Sequence, residues 1–178
     1  MGKIVFLTGP PRCGKTTIIR KVVSLLQDSG LEAEGMVTTE IESNGKRLGF
    51  EVSNIQGNLK GTLARVDTVG KPRLGKYKIN LKELDHIGVA SIEDAIQRAE
   101  VVVIDEVGPM ELSSQAFRDT VQRAMSSGKS VIGTIHYKAQ DPLILEIKAR
   151  RDVEIIEVGS ENREDLAREI LKRFQQAR

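Results

Sequence analysis

The stretch Lys3-Ile4-Val5-Phe6-Leu7-Thr8-Gly9-Pro10-Pro11-Arg12-Cys13-Gly14-Lys15-Thr16 decides the fold. Its apolar, β-branched first half predicts a strand over residues 3–8, which Gly9-Pro10-Pro11 ends. Over residues 15–27 the apolar side chains recur at helical spacing, and Gly30 ends this predicted helix. A strand, a glycine-rich turn and a helix in succession are typical of an α/β fold with a parallel sheet.

Residues 9–16 satisfy the pattern G-x-x-x-x-G-K-[ST] between that strand and that helix. Inward-facing backbone N–H groups and the helix amino terminus then form a phosphate-binding loop. Lys15 is expected to reach the β- and γ-phosphates as a catalytic cation, and the Thr16 hydroxyl to ligate Mg²⁺. For Cys13 two interpretations stay open: only its backbone N–H matters, or its thiol has a lowered pKa. The predicted nucleotide-binding residues here are Gly9, Pro10, Pro11, Arg12, Cys13, Gly14, Lys15, Thr16 and Thr17.

Apolar and amphipathic segments alternate through the rest of the chain. Buried strands are predicted at Val101–Asp105, 131–135 and 153–158, and each is followed by a helical pattern. Asp141-Pro142 is typical of an N-cap and first turn. The order β-α-(insert)-β-α-β-α-β-α predicts a doubly wound, mostly parallel sheet within one domain over residues 1–178.

An insert over residues 32–85 interrupts this alternation. A β-hairpin is predicted from residues 36–41 and 47–55 around the turn Asn44-Gly45. The glycines and the proline of residues 61–77 favour a loop with one short strand, and residues 91–94 are expected to begin a helix.

The amino-acid composition limits the classes of protein to which this chain can belong. The 178 residues carry 27 basic and 25 acidic side chains, a net charge of +2 that gives no indication of a nucleic-acid partner. With 39% hydrophobic residues the chain is ordinary globular protein, and none of its apolar runs approaches the roughly 20 residues of a membrane span. The single cysteine fits a reducing compartment, so we expect a cytoplasmic protein without a membrane partner; a protein partner is unknown.

Two acidic residues follow the apolar run that begins at Val101. Asp105 is predicted to hold Mg²⁺ through a water, and Glu106 to act as general base on an attacking water. The alternative for Glu106 is a solvated loop acid, and Glu111 is expected in a loop or at a helix start. Thr134 and His136 end the next strand at the same sheet edge, where they either bind the water or γ-phosphate or have structural roles.

These motifs together resemble the small P-loop nucleoside-triphosphatases, the family of the cancer-related nucleoside-triphosphatase and its thermophile counterparts. The resemblance extends over nearly the whole chain with order and spacing kept. The matching segments are residues 5–11 with Gly14-Lys15-Thr16-Thr17, Thr39-Glu40, Arg47-Leu48-Gly49-Phe50, Leu74-Gly75-Lys76-Tyr77, residues 103–108, Met110-Glu111-Leu112, Gly133-Thr134-Ile135 and Glu161-Asn162-Arg163.

The resemblance implies slow, Mg²⁺-dependent hydrolysis of nucleoside triphosphates such as ATP and GTP, with broad base tolerance. It also implies that the acidic strand lies away from the loop strand, and that Asn162 and Arg163 belong to a base-side loop. Helix capping by Ser160 or Asn162 is the alternative. Pro109 stands where many relatives have a lysine, and the Arg12 side chain has to point away from the phosphates or add charge to them.

Phosphoryl transfer normally needs one cation beyond the loop lysine. The candidates are Arg47, Arg65, Arg73 and Lys76, all in the insert, and the alternative is that they are solvated. Two other functions remain open. A small-metabolite or nucleotide kinase would replace the water by an acceptor, and a nucleotide-gated switch would use the insert to bind a partner.

Overall fold

The computed structural model describes residues 2–177. Its strands are β1 (Ile4–Thr8), β2 (Ala33–Ser43), β3 (Lys46–Asn54), β4 (Lys60–Arg65), β5 (Arg73–Leu74), β6 (Tyr77–Ile79), β7 (Val101–Val107), β8 (Ser130–Ile135) and β9 (Val153–Glu157). Its helices are α1 (Lys15–Asp28), α2 (Leu81–Glu83), α3 (Ala90–Arg98), α4 (Gln115–Ser126), α5 (Pro142–Ala149) and α6 (Leu166–Gln176). A π-helical stretch (Leu84–Val89) joins α2 to α3, and a 3₁₀ turn (Glu111–Ser113) precedes α4.

The strands of residues 2–177 form one sheet in the order β5-β6-β4-β3-β2-β7-β8-β1-β9. Pairing is parallel from β2 through β7, β8 and β1 to β9, and antiparallel from β2 outward to β5. One strand, β8, separates the loop strand β1 from the acidic strand β7, as the resemblance implied. This topology confirms the prediction of a doubly wound, mostly parallel α/β sheet.

Helices cover both faces of the sheet, and each face has its own apolar core. One core is formed by side chains of α1 and α6 with the strand residues that face them, and the other by side chains of the segment 84–99, α4 and α5. The parallel strands are apolar on both sides because both faces are buried. Single-domain organisation stays a prediction, which the continuous sheet supports.

The predicted hairpin is confirmed: β2 and β3 are joined by a turn at Asn44 and Gly45. Strand β2, however, is longer than predicted and also belongs to the central sheet. Its first half, Ala33–Val37, pairs in parallel with Val101–Asp105 and belongs to the central sheet. Only the second half projects beyond that sheet as an antiparallel hairpin. Residues 33–37 were predicted as insert because Glu34 and Gly35 interrupt the apolar run expected of a buried parallel strand.

The expectation for the second part of the insert is wrong. Residues 61–77 contain most of β4, the whole of β5 and the first residue of β6, where a loop with one short strand was expected. Glycines there occupy turns between very short strands, so the local sequence is dominated by turn residues. The helix expected to begin at residues 91–94 is α3, which begins at Ala90. Helical structure was not expected before it, yet it already begins at α2, where the Asn80 side chain accepts a hydrogen bond from the Glu83 N–H at 3.3 Å.

Within residues 2–177, none of the helices has the length and apolar character that crossing a bilayer requires.

Candidate functional site

The segment between β1 and α1 folds into a tight loop. Gly9, Arg12 and Gly14 have φ angles of 146°, 62° and 99°, and these positive values curl the backbone. A Cβ at Gly9 would lie 3.0 Å from Cys13 Sγ and 3.1 Å from the Val158 carbonyl oxygen, so this position leaves little space for a side chain. The loop leads directly into α1, whose first N–H groups have no partners within the helix.

The ammonium group of Lys15 lies inside the curve of this loop. Its Nζ donates to the carbonyl oxygens of Gly9 at 2.9 Å and Pro10 at 3.0 Å, and it lies 3.8 Å from Cys13 Sγ. The lysine charge is therefore held at the centre of the loop, where the motif predicts the phosphates of a bound nucleotide.

Arg12 points away from the centre of the loop. Its Nη2 donates to Glu40 Oε2 at 3.2 Å and to Glu42 Oε1 at 2.9 Å, both on β2. Of the two orientations left open by the sequence, this is the first: the guanidinium connects the loop to the hairpin.

Asp105 is buried at the end of β7, with 1% of its surface exposed. Its Oδ1 accepts a hydrogen bond from Thr134 Oγ1 at 2.7 Å, and the Thr16 hydroxyl is a second hydrogen-bond partner of the carboxylate. Burial raises the pKa of Asp105 to about 6, although these two hydrogen bonds oppose the shift. Its Oδ2 is buried without a hydrogen-bond partner among residues 2–177.

This donor set fits Mg²⁺. The unpartnered Oδ2 and the nearby Thr16 hydroxyl are hard oxygen ligands beside the phosphate loop, and Mg²⁺ is commonly held by one or two carboxylates together with phosphate oxygens and water. The part of the chain that the structure describes has no group of three or more His, Cys, Asp or Glu residues able to hold a metal. Thr16 and Asp105 are thus brought together as the predicted metal ligands.

Glu106 is largely removed from water, and burial raises its pKa while the charge of Lys15 lowers it. The predicted base and the loop lysine therefore lie close enough to interact. This position differs from that of a solvated loop acid, the alternative that the sequence left open.

Glu111 is a third acid of this site, and the sequence predicted only a loop or helix-start role for it. It does begin the 3₁₀ turn, yet it is 5% exposed, and the backbone amides of Gly108 and Glu111 hold its carboxylate. Burial and the charge of Glu106 raise its pKa well above the ordinary value. A Cβ on Gly108 would lie 3.1 Å from Glu111 Oε2 and 3.5 Å from Glu106 Cγ, so both acids flank this glycine.

Thr134 and His136 lie at the same sheet edge, as predicted, with different surroundings. Thr134 is buried and donates to Asp105. His136 Nδ1 accepts a hydrogen bond from the Ala139 N–H at 3.1 Å, which orders the turn after β8. Burial lowers the His136 pKa, and the charges of Lys15 and Lys148 lower it further, so the ring is neutral at pH 7.

Asn162 and Arg163 lie in the loop between β9 and α6. Asn162 accepts from the Gly159 N–H at 3.0 Å and donates to the Glu157 carbonyl oxygen at 2.9 Å, so both ends of its amide stabilise this loop. It does not cap α6, whose N-cap is Asp165. Arg163 Cδ lies 3.3 Å from the place of a Cβ on Gly14, so Arg163 packs against the phosphate loop.

The insert cations differ in what they bind. Arg65 forms a two-pronged ion pair with Asp67, and Arg73 donates to the carbonyl oxygens of Thr68 and Lys76. Lys76 lies over the ring of Tyr77. Arg47 instead binds Glu40, the residue that also binds Arg12 of the phosphate loop.

Comparisons with known proteins give this chain similarity to nucleoside-triphosphatases. The family model described as NTPase matches residues 4–171. The chain belongs to this NTPase family. Among curated relatives, the "Nucleoside-triphosphatase THEP1" of Thermotoga sp. (strain RQ2) is 44% identical over 167 residues, which cover 94% of this chain and 92% of that protein. The "Cancer-related nucleoside-triphosphatase homolog" of Mus musculus is 40% identical over the full length of both chains.

Two solved structures have the same fold as this NTPase family member. The crystal structure of THEP1 from the hyperthermophile Aquifex aeolicus superposes with a TM-score of 0.86 at 32% identity, covering 97% of this chain and 99% of the other. The solution structure of a human cancer-related nucleoside triphosphatase gives 0.83 at 36% identity, covering 99% and 100%. The resemblance predicted from the sequence is confirmed, and with it the P-loop NTPase fold.

Proposed function

We propose that this enzyme hydrolyses nucleoside triphosphates to the diphosphate and phosphate, and that the reaction requires Mg²⁺. The observation that carries the proposal is the meeting of Lys15, Thr16, Asp105 and Glu106 at one edge of the sheet. The names of the family and of its relatives support the same class of activity for this chain.

Each residue of this group has a distinct role in the proposed reaction. The loop amides and Lys15 bind the β- and γ-phosphates, and Thr16 and Asp105 would hold Mg²⁺, which would supply positive charge beside the phosphates. Glu106 accepts the proton of a water that attacks the γ-phosphorus, and the bond to the bridging oxygen of the diphosphate breaks. The raised pKa of Glu106 fits a base that accepts a proton near neutral pH.

Broad base tolerance is part of the proposal. Aromatic residues are 3% of the chain, so few side chains are able to stack on a base. Arg163, beside Gly14, carries charge and suits contact with the phosphate–sugar end of a nucleotide. We also propose a cytoplasmic location, because the free Cys13 in the loop fits a reducing compartment.

The variant Glu106→Gln tests the catalytic assignment. We expect nucleotide affinity within about threefold of wild type and phosphate release reduced by about 10²–10⁴-fold, the usual contribution of a general base. Glu146→Gln, an exposed acid on α5, is the matched control and keeps the wild-type rate. Phosphate release by Glu106→Gln at the wild-type rate would remove Glu106 from the mechanism. A separate assay adds a nucleoside or a nucleoside monophosphate to the wild-type enzyme. Transfer of the γ-phosphate to this acceptor faster than to water would make the enzyme a kinase.

A further inference from the structure

The carboxylate of Glu40 connects two guanidinium groups that belong to different parts of the chain. Its Oε2 accepts from Arg12 in the phosphate loop at 3.2 Å, and its Oε1 accepts from Nη2 of Arg47 at the start of β3. The carboxylate of Glu40 therefore connects Arg47 to Arg12 of the phosphate loop, although 35 residues separate the two arginines in sequence.

Two additional contacts fix the end of the hairpin beside the loop. Arg12 also binds Glu42 at 2.9 Å, and Arg20 of α1 donates to Thr39 Oγ1 at 3.0 Å. The hairpin end is thus held by side chains both from the loop and from the helix that follows it. These side-chain contacts add to the backbone pairing of β2 with β7 in fixing the position of the hairpin relative to the phosphate loop.

The Arg47 side chain is partly enclosed, with 27% of its surface exposed. Its guanidinium carbon lies 5.4 Å from the centre of the Phe50 ring, which packs edge-on against Tyr77. Its Nε is buried without a hydrogen-bond partner among residues 2–177. A buried N–H without an acceptor is unfavourable, and the side chain of Tyr77 is a further hydrogen-bond partner of this guanidinium beside Glu40.

The other three candidate cations are engaged locally. Arg65 donates from Nε and Nη2 to Asp67, Arg73 donates to backbone carbonyl oxygens of Thr68 and Lys76, and Lys76 lies over the Tyr77 ring. Among these four candidates, Arg47 is the one whose partner contacts the phosphate loop. A guanidinium also suits the three oxygens of a terminal phosphate, since its planar fork donates two hydrogen bonds.

We propose that Arg47 is the second cation of the reaction, donating from within the same chain to the terminal phosphate, and that Glu40 positions it. This inference deepens the proposed function and rests on it. Arg47 interacts with the γ-phosphate oxygens, on which negative charge is spread in the transition state. Glu40 orients the guanidinium and, through Arg12, couples its position to the loop that binds the same phosphate chain.

The experiment compares Arg47→Ala, Arg47→Lys and Glu40→Gln in the full chain. We expect Arg47→Ala to lower kcat by about 10³-fold, in the range known for such arginines, and to raise KM for the triphosphate about tenfold because the contact to the terminal phosphate is also lost in the bound substrate. Arg47→Lys recovers about tenfold of this loss because the charge returns without the fork. Glu40→Gln lowers kcat by about 10–100-fold at nearly unchanged KM, as expected of a residue that orients a catalytic group.

A binding measurement separates phosphate contact from packing. The quantity measured is the affinity for a non-hydrolysable triphosphate divided by the affinity for the matching diphosphate. Arg47→Ala should lower this ratio at least about tenfold, while the affinity for the diphosphate stays the same. The matched control is Arg123→Ala, which removes an arginine–glutamate pair between α4 and α3. It should leave both kcat and the ratio within about twofold.

Three outcomes are decisive. A kcat for Arg47→Ala within threefold of wild type together with an unchanged affinity ratio overturns the inference. Equal losses for triphosphate and diphosphate, accompanied by a lower melting temperature, also overturn it because they indicate packing alone. If the wild-type protein releases no phosphate, the proposed hydrolysis fails, and the affinity ratio still decides whether Arg47 contacts the terminal phosphate.

Discussion

The Thr134 hydroxyl donates to Oδ1 of Asp105 at 2.7 Å, while Oδ2 of the same carboxylate has no hydrogen-bond partner among residues 2–177. One oxygen is therefore fixed by a neighbouring strand, and the other is free to bind a metal ion or its water. Partners of this kind orient a ligand and keep it ionised.

Replacing Thr134 by valine should weaken the metal requirement that we propose. Without the hydroxyl the pKa of Asp105 rises above its value of about 6, so protons compete more strongly with Mg²⁺. We expect the Mg²⁺ concentration for half-maximal phosphate release to rise about 10–100-fold, and more at pH 6.5 than at pH 8. Thr134→Ser keeps the hydroxyl and should behave as wild type; an equal effect of both substitutions would contradict the role of the hydrogen bond.

The buried Asp105 should make the metal-free protein less stable as pH rises. Between its unfolded pKa near 3.8 and its folded pKa of about 6, the native state keeps a proton that the unfolded chain has lost. The free energy of unfolding therefore falls across this interval, by up to about 3 kcal/mol, and the full loss is present above pH 6.

Asp105→Asn removes this penalty, so it should exceed wild type in stability at pH 8, with a difference that shrinks toward pH 5. Urea denaturation with a chelator present measures both proteins. Asp94→Asn, on the exposed side of α3, is the control for the change of an aspartate to asparagine. The idea fails if the Asp105→Asn difference is constant between pH 5 and 8.

Arg163→Ala should affect binding and leave the chemical step unchanged. Its side chain packs against Gly14 at the start of α1, which suits a contact to the phosphate–sugar end of the nucleotide. We expect KM for ATP and GTP to rise about 3–10-fold at constant kcat, which corresponds to an exposed interaction of about 1 kcal/mol. Arg168→Ala on α6 is the control, and a fall in kcat with constant KM would contradict this assignment.

Arg118 should contribute to stability far more than an exposed arginine. Its Nε donates to the Leu112 carbonyl oxygen at 2.7 Å, and its two Nη atoms bind both oxygens of Asp141, the N-cap of α5. We expect Arg118→Ala to lower the free energy of unfolding by about 2 kcal/mol, because a fork of charged hydrogen bonds is lost.

The comparison for Arg118 is Arg98→Ala. The Arg98 side chain is 75% exposed and pairs with Asp94 one helical turn away, so Arg98→Ala should change the free energy of unfolding by about 0.5 kcal/mol or less. Denaturation in urea at neutral pH measures both variants. Equal effects of the two substitutions would show that the Asp141 fork adds no stability.

Elements with strong local signals could be predicted from the sequence. The phosphate loop, the hairpin turn at Asn44-Gly45 and the Asp141-Pro142 helix start all depend on backbone preferences of a few adjacent residues. The proximity of Asp105 to the loop followed from sheet topology, because the carboxyl ends of parallel strands meet at one edge.

Features that depend on distant partners could not be predicted. Strand β5 forms because it pairs with β6. Its two residues are too few to show the alternation of polar and apolar side chains that predicts a strand. The burial of Glu111 depends on the amide of Gly108 and on the packing of the 3₁₀ turn. The contact between Arg12 and Glu40 joins residues 28 positions apart, and surface charge patterns give no indication of such a pair.

On the side of the insert, the sheet ends at Arg73 and Leu74, which follow Pro72 directly. A boundary of two residues presents few main-chain donors and acceptors to another molecule, and proline has no N–H to offer. Lys71 and Arg73 add like charges that repel a second copy of the same segment. The large insert therefore extends the sheet without exposing a long template for intermolecular β-pairing, which favours a chain that stays dispersed at high concentration.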